Sequence, residues 1–425
     1  MCFILAMISF VTNMAAPFGT IWGYKYEWAG MMGNMMNFAA YLFMGIPAGK
    51  MLMRYGYKRT ALIAMGVGLI GLAVQYLSSM VGADIPTFSY QGQTIALNLI
   101  IYLTGAFICG FCVCMLNTVV NPMLNLLGGG GNRGNQLIQI GGTLSSLTAT
   151  LTPLLVGVLI KQTSDKTSMS DVSPLLFIGM GVFAVSLFII SSVNIPEPEQ
   201  PVKTEKFYTP LKYKHCTLGV IAIFFYVGIE VGIPAELLFY FTDMGFEGSA
   251  AIGGSFAAAY WLIMMAGRAI GSVIGGRVST STQMTFVSAL AIVLLLTAIF
   301  LPEGWAISYN GHPIPIKCFL IVACGFSTSI MWGGIFNLAV EGLGKYTAAA
   351  SGLFMTMVVG GGIMPFIQHA IAQHTDAINS YWLVIAMLAY ILYYSKMGCK
   401  VKQKKLKKKK KSSSNINYKT LRLWT

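Results

Sequence analysis

The stretch LNTVVNPMLNLLGGGGNRGNQ, Leu116–Gln136, decides the fold class because polar amides and a glycine run interrupt an otherwise apolar chain there. Asn117, Asn121 and Asn125 recur at every fourth position, so in a helix they share one face. The glycine run Gly128–Gly131 then ends that helix. Amides on one face of so apolar a segment predict a polar site within a membrane-embedded bundle.

The composition of the chain excludes an ordinary soluble domain. Of its 425 residues, 56% are hydrophobic and only 10% are charged, and the mean hydropathy is +0.68, whereas a soluble domain carries about 25% charged residues. Most apolar runs approach or exceed the roughly 20 residues of helix that a bilayer core takes. We therefore predict an all-α integral membrane protein with twelve spans: Met1–Trp22, Gly30–Gly49, Thr60–Met80, Thr94–Leu127, Asn135–Ile160, Pro174–Val193, Leu218–Phe241, Ser249–Gly275, Met284–Leu301, Lys317–Val340, Ala348–Ala372 and Tyr381–Ser395.

The net charge of +14 is sorted by side of the membrane. The loops after even-numbered spans hold most basic residues, namely Lys50, Arg54, Lys58, Arg59, Arg133, Lys203, Lys206, Lys212, Lys214, Arg277 and Lys345. The opposite loops hold few, namely Lys25, Lys161, Lys166 and Lys317. The positive-inside rule then predicts that both termini are cytoplasmic. The charge needs no nucleic-acid partner to explain it.

A polar, proline-containing linker at 195–214 divides the predicted helices into two sets of six, at 1–194 and 215–397, and a basic, disordered tail follows at 398–425. The halves match in chain order, as shown by Gly49 and Lys50 with Gly267 and Arg268, Gly110 and Phe111 with Gly325 and Phe326, Pro153 with Pro365, and Asn13 before Pro17 with Glu230 before Pro234. Two six-helix halves in parallel repeat are typical of secondary transporters.

Several sequence blocks carry a resemblance to a known family. The stretch Gly45–Arg59 resembles the loop between spans two and three of the major facilitator superfamily, although Met53 replaces its usual acid. Four further blocks resemble the fucose permease family, the fucose–galactose–glucose:proton symporters, and they are LNTVVNP (Leu116–Pro122), YVGIEVGI (Tyr226–Ile233), YW with GRAIG (Tyr260–Gly271) and GLGKYTAAASG through GGGIMP (Gly342–Pro365). The resemblance implies the major facilitator fold and a sugar that enters with a cation by alternating access.

The chain departs from that family where the family keeps acids in spans one and four. These positions are Ala16 and Asn117 here, and neither side chain has a group that can take up and release a coupling proton. Glu230, inside span seven, is the remaining candidate for ion coupling, because ionisable groups within spans are costly and mark functional sites. It can take up a proton or bind sodium; the alternative is a structural hydrogen bond to the helix broken by Pro234. Arg268 we interpret as an anchor near a helix end.

A neutral sugar site needs amides as mixed donors and acceptors together with an aromatic plate. The candidates are the amides Asn13, Asn117, Asn121, Gln136 and Gln139 and the aromatic residues Tyr260, Trp261 and Trp332. Amides within lipid also hold helices together, so that role remains open for each one.

Other motifs predict no enzyme, cofactor or metal site. Cys109, Cys112 and Cys114 include a CxxC spacing without a second pair, so we interpret them as packing thiols. The segment Gly129–Gly134 matches GxGxxG but follows an apolar helix rather than a strand, so it is a predicted hinge. The four histidines are scattered, at His215, His312, His369 and His374.

The sequence thus predicts a monomeric transporter that moves a monosaccharide by symport with H⁺ or Na⁺. An uncoupled facilitator, a small-solute exporter and a non-transporting sugar sensor remain alternatives. Because Met1 adjoins the first apolar run, we expect a truncated or misassigned start, and the lysine-rich tail is compatible with a shifted reading frame.

Overall fold

The computed structural model describes residues 1–30, 32–90, 92–159, 169–171, 173–195, 197, 207–246, 249–302, 304–309 and 311–401. Half of the predicted linker, at 196 and 198–206, and most of the predicted tail, at 402–425, lie outside these residues. The half, linker and tail boundaries therefore stay predictions.

Apolar runs fold into helices because only a helix satisfies the backbone hydrogen bonds of a single segment within lipid. In chain order the α-helices are α1 (Cys2–Asn13), α2 (Ala15–Lys25), α3 (Met32–Met80), α4 (Leu97–Leu127), α5 (Gly131–Leu159), α6 (Ser173–Ser192), α7 (Lys214–Asp243), α8 (Ser249–Ile274), α9 (Thr280–Phe300), α10 (Ile316–Thr328), α11 (Met331–Val340), α12 (Thr347–Met357), α13 (Gly360–His374) and α14 (Tyr381–Tyr393). Eight helical segments among the described residues are long and apolar enough to be candidate membrane spans.

The helices account for the twelve predicted spans, but not one for one. Helices α1 and α2 form span one, α10 and α11 form span ten, and α12 and α13 form span eleven. Helix α3 covers spans two and three. Its 49 residues have a summed helical length of about 73 Å, which is more than twice the thickness of a bilayer core of about 30 Å. Its two parts meet at Gly56, whose φ of 79° favours glycine.

The turn between α4 and α5 confirms the predicted glycine break. Gly129, Gly130 and Gly131 have φ values of 73°, 72° and 55°, in the left-handed region that suits glycine. A Cβ atom on Gly134 would lie 2.9 Å from the backbone oxygen of Asn125. The turn is therefore tight, and α5 begins directly beside the end of α4.

Two β-hairpins were missed by the sequence analysis, which began span four at Thr94. Strands β1 (Pro86–Tyr90) and β2 (Gln93–Ala96) pair antiparallel before α4, and β3 (Ala306–Tyr309) and β4 (His312–Pro315) pair antiparallel before α10. Both hairpins lie between the third and fourth spans of a half, so they repeat with the helices. We call their side of the bundle the hairpin end and the opposite side, with the lysine- and arginine-rich loops, the basic end.

The outer surface of the bundle is apolar, as expected where lipid replaces water. Large side chains there are highly exposed, including Phe188, Phe300, Phe366 and Val273, each above 70%. Two halves of six spans pack side by side within this surface, and they touch closely at the basic end. There a Cβ atom on Gly352 of α12 would lie 2.7 Å from the Cα atom of Gly49 of α3. The site lies above this contact, toward the hairpin end.

Candidate functional site

The three asparagines of α4 share one helix face, as predicted, and each has a partner on another helix or on α4 itself. The Asn117 amide donates to the Tyr41 hydroxyl at 2.8 Å. The Asn121 amide donates to the carbonyl of Asn117 at 2.9 Å, and its Oδ1 accepts the Trp332 indole N–H at 3.1 Å. We call these four side chains, Tyr41, Asn117, Asn121 and Trp332, the amide cluster. It joins α3 and α4 of the first half to α11 of the second.

A half-buried ion pair lies beside the amide cluster. The Arg268 guanidinium donates to Glu230 Oε1 at 3.0 Å, and the two side chains keep 14% and 15% of their surface accessible. Tyr226 lies between the ion pair and the amide cluster, because it precedes Glu230 by one helical turn and its ring lies 6.3 Å from that of Trp332. Glu230 is therefore paired with a permanent positive charge, and α7 continues through Pro234 without the break that the sequence analysis expected there.

Arg268 also contacts the other half, which the sequence analysis missed. Its guanidinium donates to Ser146 Oγ at 2.7 Å and to the carbonyl of Gly142 at 3.4 Å, both on α5. Within its own half it donates to the carbonyl of Ser329 at 3.3 Å. The only available sequence signal was a charge seven residues before the end of the apolar run Ser249–Gly275. Such a position indicates an anchor at a helix end, and it does not indicate a contact with the other half.

The two predicted glutamines lie where the halves meet. Gln136 donates to the carbonyl of Ser272 at 2.9 Å, and Gln139 donates to the carbonyl of Ile330 at 3.0 Å. Gln139 is buried and Gln136 half-buried. Each of these hydrogen bonds thus connects α5 of the first half to the second half. These two amides therefore hold the halves together, and they lie nearer the basic end than the amide cluster does.

The remaining candidates are more dispersed. Asn13 donates to the carbonyl of Ser9 on its own helix at 2.7 Å. Tyr260 is fully buried and shares a hydrogen bond of 2.8 Å with Thr328. Trp261 is 40% exposed and precedes Arg268 by seven residues, two turns, so both occupy one face of α8. Trp261 therefore stands toward the hairpin end on the face that bears the ion pair.

A further set of hydrogen bonds closes the basic end, and we call it the amide latch. Asn125 donates to Asn337 Oδ1 at 2.6 Å, and Asn337 donates to Thr280 Oγ1 at 3.1 Å. The backbone N–H of Thr280 donates to Asn132 Oδ1 at 3.3 Å. Together with the bonds of Gln136 and Gln139, these contacts hold α4 and α5 against α8, α9 and α11.

This arrangement suits binding and conformational change. The amide cluster offers donors, acceptors and an indole ring for a polyhydroxylated ligand, and the ion pair offers a carboxylate whose charge can change. Among the described residues there is no group of three or more His, Cys, Asp or Glu side chains that could hold a metal ion. A ligand at this position would touch both halves.

Comparison with known proteins gives consistent matches. The family model of the Major Facilitator Superfamily matches residues 1–409. The chain is 29% identical over 378 residues to a glucose/galactose transporter of Brucella abortus biovar 1, covering 87% of this chain and 85% of the relative. It is 20% identical over 392 residues to the L-fucose-proton symporter of Escherichia coli strain K12, covering 86% and 83%.

The fold matches solved structures as well. The crystal structure of FucP, a transporter in the outward conformation, superposes with a TM-score of 0.77 and covers 93% of this chain and 96% of its own, at 18% identity. The proton:xylose symporter XylE superposes with a TM-score of 0.68 at 13% identity. At these identities the likeness shows the fold alone.

Proposed function

We propose, since this chain belongs to the major facilitator superfamily, that it moves a monosaccharide across the membrane by alternating access, in symport with a cation. The protein is an integral membrane transporter and not an enzyme. The observation that carries the sugar assignment is the amide cluster, whose members come from both halves. A ligand bound by both halves can shift the equilibrium between the two orientations of the transporter, because it contacts them differently in each.

The chemistry of the amide cluster supports a neutral sugar. Asn117, Asn121 and Tyr41 present groups that both donate and accept hydrogen bonds, as sugar hydroxyls do. Trp332 and the more exposed Trp261 present flat apolar faces, which suit the carbon face of a pyranose ring. The relatives named as a glucose/galactose transporter and an L-fucose-proton symporter support the same ligand class.

The ion pair supports proton rather than sodium coupling. A sodium ion bound at Glu230 would lie beside the Arg268 guanidinium, and two like charges at that distance repel strongly in a site of low dielectric constant. A proton neutralises the carboxylate and needs no additional space. Protonation then removes the attraction that holds Arg268, which also contacts Ser146 of the other half. Ion binding and the arrangement of the halves are thereby linked.

We assign the basic end to the cytoplasm and both termini to the same side, in a bacterial inner membrane, with the monomer as the working unit. The positive-inside rule supports this orientation. Because the halves touch closely at the basic end, we infer that the site opens toward the hairpin end, which this orientation assigns to the outside.

Counterflow in liposomes tests the function directly. Liposomes that contain the purified protein are loaded with unlabelled sugar. Uptake of labelled sugar is then followed over a panel of monosaccharides, with and without sodium and a proton gradient. Acceleration by internal sugar establishes transport. Binding without flux would identify a sensor instead, and flux without accumulation would identify an uncoupled facilitator.

Glu230→Gln tests the coupling. This variant keeps the size and hydrogen-bonding capacity of the side chain but carries no titratable charge, so gradient-driven accumulation should disappear while exchange of sugar continues. Glu341→Gln, at an exposed position at the basic end, is the matched control and should accumulate sugar normally. Unchanged accumulation by Glu230→Gln would reject the coupling role.

A further inference from the structure

Four oxygen atoms surround the Arg268 guanidinium, and we call them the oxygen cage. Glu230 Oε1 lies 3.0 Å from Nη2, Ser146 Oγ lies 2.7 Å and the carbonyl of Gly142 lies 3.4 Å from Nη1, and the carbonyl of Ser329 lies 3.3 Å from Nε. Two of these oxygens belong to α5 of the first half and two to the second half. The cage therefore spans the interface between the halves.

The charge and geometry of the oxygen cage suit one monovalent cation. One of the four oxygens belongs to a carboxylate and three are neutral, so the cage carries a single negative charge. The carbonyl of Ser329 lies just beyond the C-terminus of α10, where the helix dipole places partial negative charge. Span ten breaks there, and this carbonyl points to Arg268 instead of serving a continuous helix.

We propose that the oxygen cage is a cation-binding site in its own right and that Arg268 fills it as a tethered cation. In this view the guanidinium takes the place of a free ion and ties α5 to α7 and α10 while it remains there. An ordinary ion pair would need only Glu230 and would contain no site for another cation. The cage itself does not depend on transport, whereas the part it plays in transport rests on the proposed function.

Chemical rescue distinguishes these two arrangements. Arg268→Ala empties the cage and leaves the Glu230 carboxylate buried without its partner. Free guanidinium, added well below denaturing concentrations and at ionic strength held constant with choline chloride, should raise the midpoint of thermal unfolding of this variant by several degrees in a saturable way. Methylguanidinium and sodium are tested in parallel to define the size and kind of cation accepted.

Three controls accompany the rescue. The wild-type protein, with its cage filled, should show no saturable rise. The double variant Glu230→Gln/Arg268→Ala has a neutral cage and should not respond, and Arg277→Ala removes an exposed arginine of the same region and should behave as wild type. The proposal is overturned if Arg268→Ala responds to none of the cations, or if the double variant responds equally.

A second variant keeps the test decisive if Arg268→Ala is not recovered folded. Arg268→Gln retains much of the side-chain volume but removes the charge, and the same saturable response is expected; its absence overturns the proposal. Counterflow is measured on the same samples, where guanidinium should restore the flux that the variant loses. A stability response without recovered flux would leave the cage standing and count against the transport role of Arg268.

Discussion

Truncation of Asn337 to alanine should open the basic end of the bundle. In the closed arrangement Asn337 accepts a hydrogen bond from Asn125 and donates one to Thr280. Asn125 and Asn337 are only 6% and 3% exposed, so water cannot replace the lost partner while the basic end is closed. Once the basic end opens, water reaches the same groups. The substitution therefore penalises the closed state alone.

The size of the effect follows from the cost of a buried, unpaired polar group. That cost is about 1–3 kcal/mol, which corresponds to a shift of about 5- to 150-fold in the equilibrium between the two states. Asn125→Ala should act in the same direction but less strongly, since Asn125 has one partner in the amide latch and Asn337 has two. The double variant should cost little more than Asn337→Ala, because neither amide is then left without its partner.

Distances between spin labels measure this shift. Leu127 in the first half and Met397 in the second are exposed at the basic end and can carry the labels. Of the cysteines, only Cys2 is not buried, so replacement of that one thiol leaves a background with little reactivity. Asn379→Ala, an exposed amide at the hairpin end, is the control and should leave the distances unchanged.

The reasoning fails if Asn337→Ala keeps the wild-type distance distribution without ligand. It also fails if the double variant costs the sum of the two single variants, because the two amides would then act independently and no latch would exist.

Three further variants test the sugar site and the contact between the halves. Trp332→Phe removes the N–H donated to Asn121 and should raise the half-saturating sugar concentration in counterflow about 2- to 13-fold, the equivalent of one hydrogen bond of about 0.5–1.5 kcal/mol. Trp261→Ala should also weaken sugar affinity, measured in the same way. Gly352→Leu places a side chain against Gly49 and should prevent closure of the basic end, so labels there should move apart.

Matched controls exist for these variants. Trp382 is 45% exposed on the outer surface of α14, and Trp382→Ala should leave sugar affinity unchanged. A Cβ atom on Gly181 meets nothing within 4 Å, so the basic end of the Gly181→Leu variant should close normally. If Trp261→Ala and Trp382→Ala behave alike, Trp261 does not face the sugar; if both glycine variants close, the contact at Gly352 does not limit closure.

The number of spans could be predicted because hydropathy is a local property of the chain. The positions at which three spans break could not, since Met14, Ser329 and Val358 lie within continuous apolar runs and the breaks depend on packing. The hairpins were missed for a different reason. Their strands are four or five residues long and mostly exposed, so no alternating pattern marks them.

The candidate site was predictable in residue type but not in pairing. Asn117, Asn121 and Trp332 were expected to share a polar site, and they form one hydrogen-bonded cluster; their binding of sugar stays a prediction. Gln139 was expected there too, yet its amide reaches a carbonyl in the other half. Arg268 was placed by its distance from a helix end, although a long side chain can carry its charge well away from its own Cα atom.

The amide latch is built from uncharged groups, and this determines how the closed state responds to ionic strength. Dissolved salt weakens exposed ion pairs by screening, with a Debye length of about 8 Å at physiological concentration, but it has little effect on hydrogen bonds between amides, hydroxyls and backbone carbonyls. The positive charges of the lysine- and arginine-rich loops around the latch repel one another, and salt weakens this repulsion. The population of the closed state should therefore stay constant or increase slightly when the salt concentration of the surrounding fluid increases, instead of falling as it would in a gate held by surface ion pairs.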